Sequence, residues 1–287
     1  MAEARFLVAP PTRTLLPYGL MSVVQTPTDP DDHWQNGILY QTDPCGQAQV
    51  TTTDCPVPPT DKLPTLGPGL RGANPFTVYT FPTCSAPGGF AEEARTRAVA
   101  ALTSGEARTV ERVFWTGESG VVPSLAATGG MITGLGGSLD QSAATIITGG
   151  PLTPVEGLAL LEEALSSCYG NEGVIHVTPG TLTRLVTNGS VSRDGARLRS
   201  PNGHLVAAGA GYPGTGPSGV ANAPGVRWMF ATGAVFLRRT DVITPSATVA
   251  DSLNRGKNTI GFLAERTYVI GWDCCHFAIP VQIAEVG

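Results

Sequence analysis

Prolines break this chain twice over distances longer than a packed element tolerates. The first 30 residues contain Pro10, Pro11, Pro17, Pro27 and Pro30 and show no sustained hydrophobic period. Each proline fixes φ and removes an amide donor, so the stretch reads as an extended arm. From Asp54 to Pro75 five prolines fall before Leu70, and a loop of that length inside a compact domain is uncommon and usually functional. Glycine adds to the effect: 36 Gly and 24 Pro among 287 residues make about one position in five a bend or a break. Regular elements must lie between these interruptions.

Hydrophobic residues make up 41% of the chain, enough for a sizeable core and too many for global disorder. The length fits one large domain or two intimately joined ones. Charged residues reach only 14%, against about 25% in an average soluble domain. A surface so poorly charged reads as surface covered by other protein. The net charge of −5 excludes a strongly basic nucleic-acid binder, whose affinity rests on neutralising phosphates. No apolar run of signal-peptide length follows Met1. The charge-poor tract Ser119 to Leu139 is too rich in Gly, Ser and Thr for a membrane span. The cysteines are therefore expected to be reduced thiols of a cytosol, and the Asn188-Gly189-Ser190 sequon only a turn. Lysine occurs only as Lys62 and Lys257, which makes each conspicuous.

Between the breaks, Gly37–Asp43 and Gln47–Thr53 flank Pro44-Cys45-Gly46 and give a hairpin signal. Phe76–Phe81 reads as a strand. Phe90–Trp115 carries the strongest helical pattern. Phe90, Ala94, Ala98, Leu102, Val110, Val113 and Phe114 share one face, while Glu92, Arg95, Arg97, Glu106, Arg108 and Arg112 share the other. Gly105 is a candidate break; unbroken, the helix runs roughly 39 Å. Gly129 to Gly150 reads as irregular or mixed. Thr153, Pro154 and Glu156 combine an N-cap, a first-turn proline and a capping box, so a helix runs from there to Tyr169 and stops at Gly170. Gly173–Thr178 is a short buried strand, and Thr178-Pro179 caps a second short helix to Val186. Two more hairpins follow: Arg197–Ser200 with His204–Ala208, and Val226–Ala231 with Val235–Arg239 around Thr232-Gly233. Strands Ile260–Trp272 and Phe277–Val286, separated by Asp273-Cys274-Cys275-His276, close the chain. The fold class is α+β.

Chemical motifs do not accumulate. Gly209-Ala210-Gly211-Tyr212-Pro213-Gly214 matches a dinucleotide fingerprint as a string, but Pro213, Gly214, Gly216, Pro217 and Gly219 forbid the helix the motif needs. Cys274 and Cys275 beside His276 invite a thiol-nucleophile or metal reading. Adjacent strand residues point to opposite faces and chelate one ion poorly, so packing cysteines are the plainer account. His33 beside Asp31 and Asp32 reads as a solvated turn, His176 as a satisfied core histidine, and His204 carries no signal. Neither a nucleophile-elbow nor a P-loop string occurs. No cofactor and no metal site is expected.

The order of elements resembles the capsid fold of tailed bacteriophages and encapsulins, the Hong Kong 97-like fold. The likeness rests on Val226–Arg239 (VRWMFATGAVFLRR), on Lys257–Ile270 (KNTIGFLAERTYVI) and on His276–Ile283, which looks like a closing strand pair with Lys257–Ile270. The resemblance implies an N-terminal arm (1–30), an E-loop hairpin (31–75), a P-domain whose first part holds a long spine helix (76–150), an A-domain (151–225) and return and closing strands (226–287). It implies a major capsid protein that assembles into pentamers and hexamers of an icosahedral head around double-stranded DNA. Scaffolding, portal and decoration proteins are the implied partners, with no membrane and with assembly in the bacterial cytoplasm before residence in the virion. Some members cross-link a lysine to an asparagine with glutamate as base. The matching positions here are Lys62, Asn258 and Glu265; the plainer account makes Lys62 a loop residue, Asn258 a turn residue and Glu265 a partner of Arg266 or Arg112. An encapsulin-like compartment is the alternative, and a cytosolic enzyme using Cys274 or Cys275 with His276 the one from another class.

Overall fold

A computed structural model describes residues 13–28, 32–42, 48, 50, 69–85, 91–127, 130–132, 139–141, 143–219, 222–245, 253–254 and 256–284. The N-terminal half contains β1 (Ile38–Thr42), β2 (Gly69–Ala73), β3 (Phe76–Thr80), β4 (Thr83–Ser85), α1 (Ala91–Thr116), β5 (Gly130–Ile132), β6 (Leu139–Gln141) and β7 (Thr145–Ile146). Then come α2 (Pro154–Cys168), β8 (Val174–Val177), α3 (Pro179–Thr187), β9 (Ser192–Asp194), β10 (Arg197–Arg199) and β11 (Leu205–Ala208). The chain closes with β12 (Val226–Thr232), β13 (Val235–Arg239), β14 (Leu253–Asn254), β15 (Thr259–Gly261), β16 (Ala264–Trp272) and β17 (His276–Gln282). The architecture is α+β, as the pattern predicts.

The apolar stripe read from the sequence is the buried face of α1: Ala94, Ala98, Leu102, Val110, Val113 and Phe114 are all buried, with Trp115 beside them. Gly105 does not break the helix. One interior glycine costs about 1 kcal/mol relative to alanine, less than the burial of the apolar residues on either side contributes. Beneath α1 lies a three-stranded sheet in the order β13-β16-β3. Strand alternation divides its faces: Val78 and Arg266, cross-strand partners, stand on the α1 side, while Tyr79 and Glu265 stand on the other.

A second sheet has seven strands in the order β7-β17-β12-β8-β11-β10-β9. The helices α2 and α3 cover one face, where Leu158, Leu161, Leu165 and Leu185 meet Ile175, Val177, Met229, Ile279 and Val281. The other face presents Val174, Leu205, Phe230 and Ala278 to the core around Phe114 and Trp115. Strands covered on both sides read as unbroken apolar runs, and β8 and β11 are buried at every position. The expected caps are present. Thr153 and Glu156 form a reciprocal capping box on α2, Gly170 takes φ 64° beyond its end, and the Thr178 hydroxyl accepts from Thr181 N on α3.

Four expected pairings differ from the structure. Strand β1 pairs with β2, from Thr42↔Gly69 to Ile38↔Ala73. The expected return strand 47–53 lies mostly outside the described residues, and the actual one sits inside the stretch read as a proline-rich loop. Strand β11 meets β10 at only one residue pair and runs parallel to β8 over its whole length; β10 forms its hairpin with β9 around Gly195, at φ 58°. Strands β12 and β13 are not a hairpin but belong to different sheets, and so do β16 and β17. The stretch read as one strand, Ile260–Trp272, is split into β15 and β16. The stretch read as an arm is anchored midway: Leu20 and Val23 are buried, and the Gln25 backbone bonds to Val235 and Leu237.

Candidate functional site: a kinked ribbon and uncovered faces

One two-stranded ribbon joins the sheets. β12 pairs with β17 up to Thr232↔His276, and β13 pairs with β16 from Val235↔Trp272 onward. Between these pairs both chains cross from one sheet to the other together. Gly233 N donates to Cys274 O at 2.9 Å and Asp273 N to Ala234 O at 3.0 Å, so the ladder survives the kink. A Cβ on Gly233 would stand 2.5 Å from that same carbonyl, which is why glycine occupies the crossing. The sequence shows two hairpin-like repeats because each strand breaks at the same corner.

The corner holds the β1–β2 ribbon as well. Tyr40 donates its hydroxyl proton to Trp272 O at 2.9 Å, and Arg71 donates to Asp273 O at 2.7 Å. Burial pushes the Tyr40 phenol above its ordinary pKa, so it stays a donor. Cys275 takes the left-handed conformation, φ 65°, and is joined by a disulfide to Cys168 at the end of α2. Cys274 is disulfide-bonded too. This corrects the expectation of reduced thiols: Cys168 and Cys275 lie 107 positions apart, a proximity that only the packing of α2 on β17 creates. In this oxidised state neither Cys274 nor Cys275 offers the thiolate that the thiol-enzyme alternative needs. Among the described residues no group of three or more His, Cys, Asp or Glu is placed to hold a metal.

Buried polar groups pin α1 between the two sheets. Glu106 takes two hydrogen bonds from Arg266 Nη1, at 2.8 and 2.9 Å, and a third from the Tyr268 hydroxyl at 2.7 Å. Glu111 accepts from Leu20 N and Gly211 N, both at 2.9 Å, and so ties the arm and the 209–214 loop to the helix. Burial raises its carboxyl above the ordinary range, opposed by those backbone N–H groups. The loop's glycines serve contact: a Cβ at Gly211 would collide with the Arg108 carbonyl. That is the structural content of the fingerprint-like string. His176 is fully buried between the Tyr212 hydroxyl and the Thr232 hydroxyl, each at 3.1 Å. Burial, with His276 nearby, pushes its pKa down to about 3 and leaves it a neutral core imidazole, as read from the sequence.

Large apolar side chains stand outside these cores. On the face of the three-stranded sheet turned away from α1, Tyr79 is 65% and Ile243 43% exposed; they flank Glu265, the first as its cross-strand partner and the second through a backbone bridge. Phe81 is exposed just beyond. The β1–β2 ribbon exposes Leu39 and Leu70. Sequence reading missed this surface, although the alternation in Phe76–Thr80 (FTVYT) puts Tyr79 opposite to buried Val78.

No family model matches the sequence, and no curated protein does. Solved structures do. The capsid of an empty GTA particle superposes with a TM-score of 0.54 at 12% identity, over 97% of this chain and 95% of that one. The capsid of the native GTA particle gives 0.53 at 12% identity over 96% of each chain. A structure of Mycobacterium phage Ogopogo gives 0.51 at 13% identity over 97% of each. The chain has the Hong Kong 97-like capsid fold.

Within this Hong Kong 97-like fold, two of the three residues matched to the cross-link fall among the described residues. Lys62 lies outside the described residues. Asn258 sits exposed in the turn between β14 and β15, at φ 51°, and Glu265 is half-buried on β16 of another sheet. Neither expected partner takes Glu265: Arg266 pairs with Glu106 and Arg112 with Glu118.

Proposed function

We propose that this chain is a major capsid protein that assembles with itself, through pentamers and hexamers, into an icosahedral phage head enclosing double-stranded DNA. The observation that carries this reading is the full-length likeness of its fold to the capsid of a GTA particle. Physical chemistry supports it. A monomer seldom leaves a row such as Tyr79, Phe81 and Ile243 in water, and faces of this kind mark contact with other protein. Interface centres are depleted in charge, which fits a chain with 14% charged residues. The β1–β2 ribbon, with Leu39 and Leu70 exposed, belongs to the E-loop (31–75) and reaches a neighbouring copy. Residues 1–30 are the arm, 76–150 open the P-domain with α1 as its spine, 151–225 form the A-domain, and 226–287 return through both. A net charge of −5 suits a wall along which DNA moves without being gripped. Scaffolding, portal and decoration proteins complete the partners, in the host cytoplasm during assembly and in the virion afterwards.

Replacing both Tyr79 and Ile243 with lysine tests the surface. The double variant should keep its circular dichroism and melting temperature yet lose at least 10-fold in particle yield by light scattering, because buried unpaired charge is costly at an interface. Wild-type yield would contradict the reading. Particles that enclose protein cargo and no DNA would favour the encapsulin-like alternative.

The same reading includes a covalent cross-link. The Lys62 amine attacks the Asn258 side-chain carbonyl of a neighbouring copy, Glu265 takes the amine's proton, and ammonia leaves as the isopeptide bond forms. Assembled particles on a denaturing gel should run as a ladder that collapses to monomer in Lys62→Arg. A lone monomer band from the wild type would remove the cross-link.

A further inference from the structure

The Cys168–Cys275 disulfide borders a cleft of about 260 Å³, lined also by Arg71, Thr145, Trp272 and His276. We propose that this disulfide is a redox-operated latch: closed, it fixes the base of the β1–β2 ribbon to the helical side of the seven-stranded sheet, and a small dithiol entering the cleft opens it. The inference concerns the chain's own fold and does not rest on the shell reading.

Three observations converge on the corner between β16 and β17. The ribbon hangs from it by two hydrogen bonds, Tyr40 to Trp272 O and Arg71 to Asp273 O. The disulfide leaves the same corner toward α2, two residues beyond Asp273. Cys275 itself holds φ 65°, a conformation that non-glycine residues keep only when neighbouring structure enforces it. Cutting the disulfide releases one of the constraints on that conformation. The two carbonyls that carry the ribbon are then free to shift.

The cleft also sets the order of the chemistry. Cys168 is half-buried at the helix end, whereas Cys275 is 7% exposed, so the reductant's thiolate attacks the Cys168 sulfur. A mixed disulfide forms and Cys275 leaves as a thiolate, favoured by the guanidinium of Arg71 on the same cleft wall. The second thiol of the reductant then displaces Cys168. The protein disulfide gains two electrons, the dithiol becomes a cyclic disulfide, and its two protons end on the cysteines.

Hydrogen exchange by mass spectrometry on the full-length protein tests this, with dithiothreitol as the probe. Reduction should speed exchange at least 10-fold in 38–42, 69–73 and the last turn of α2, and leave α1 unchanged. The variant C168S/C275S should exchange at the reduced rate with or without dithiothreitol, which separates this latch from the disulfide of Cys274. Where that variant does not fold, Cys274→Ser, which lacks the second disulfide, takes its place: it should keep the full response to dithiothreitol, and loss of the response there would overturn the latch. Alkylation of both Cys168 and Cys275 in the unreduced protein would overturn the latch. So would ribbon exchange that is indifferent to reduction, or a full dithiothreitol response in C168S/C275S.

Discussion

Trp115→Ala should lower the unfolding free energy by about 3–5 kcal/mol, a large part of the roughly 5–15 kcal/mol that holds a typical domain together. Trp115 leads the fully buried side chains by volume. It stands where α1 meets the seven-stranded sheet, with Phe230 edge-on at 4.9 Å and Tyr212 tilted at 4.8 Å between centroids. Its indole N–H donates to Thr215 O at 3.0 Å and so fixes the loop beyond the glycine string. Alanine removes the packing and leaves Thr215 to find another donor. Urea unfolding of the unassembled subunit reads the change directly, and the melting temperature should fall by something on the order of 10 °C. A loss below about 1 kcal/mol would mean that the α1–sheet contact is not the centre of the core.

Glu106→Ala should cost a similar amount, about 3–5 kcal/mol, for an electrostatic reason. Glu106 is 6% exposed and Arg266, whose side chain is 14% exposed, points both contacts of one nitrogen at it. Removing the carboxylate leaves a nearly buried guanidinium unpaired, and the Tyr268 hydroxyl loses its acceptor. Burial is the largest cause holding that hydroxyl protonated, and the substitution leaves it in place. The double variant Glu106→Leu with Arg266→Met should recover most of the loss, because replacing a whole buried pair with apolar groups is often neutral. Chemical denaturation of the double variant and of the singles Glu106→Leu and Arg266→Met closes the cycle. If the double variant is no better than Glu106→Ala, the cost is packing and not stranded charge.

These two sites mark the boundary of what the chain discloses as sequence. The helical stripe of α1 and the caps at Thr153 and Thr178 are local patterns, and each appears where the residues place it. Strand positions were legible for the same reason, since β3, β8, β12 and β13 are short apolar runs between breakers. Pairing was not. Thr232-Gly233 looks like a hairpin turn, yet the bend carries two strands together into another sheet, and the deciding partner is Cys274, more than 40 positions away. The β1–β2 pairing closes over residues 43–68, which no local rule joins. The candidate site was less legible still. Cys168 gives no sign in sequence of meeting Cys275, and Glu106 reads as one more charge on the helix's outer face until Arg266 and Tyr268 are folded onto it. Glu106 stands four residues from both Leu102 and Val110, on the buried stripe itself, while Arg108 and Arg112 on the outer face stay exposed.

The central claim is that copies of this chain close into a shell, and sizing the purified protein tests it most directly. Light scattering with electron microscopy, with a scaffold supplied if needed, should find closed icosahedral particles with fivefold vertices. A subunit that stays monomeric under every assembly condition would contradict the account.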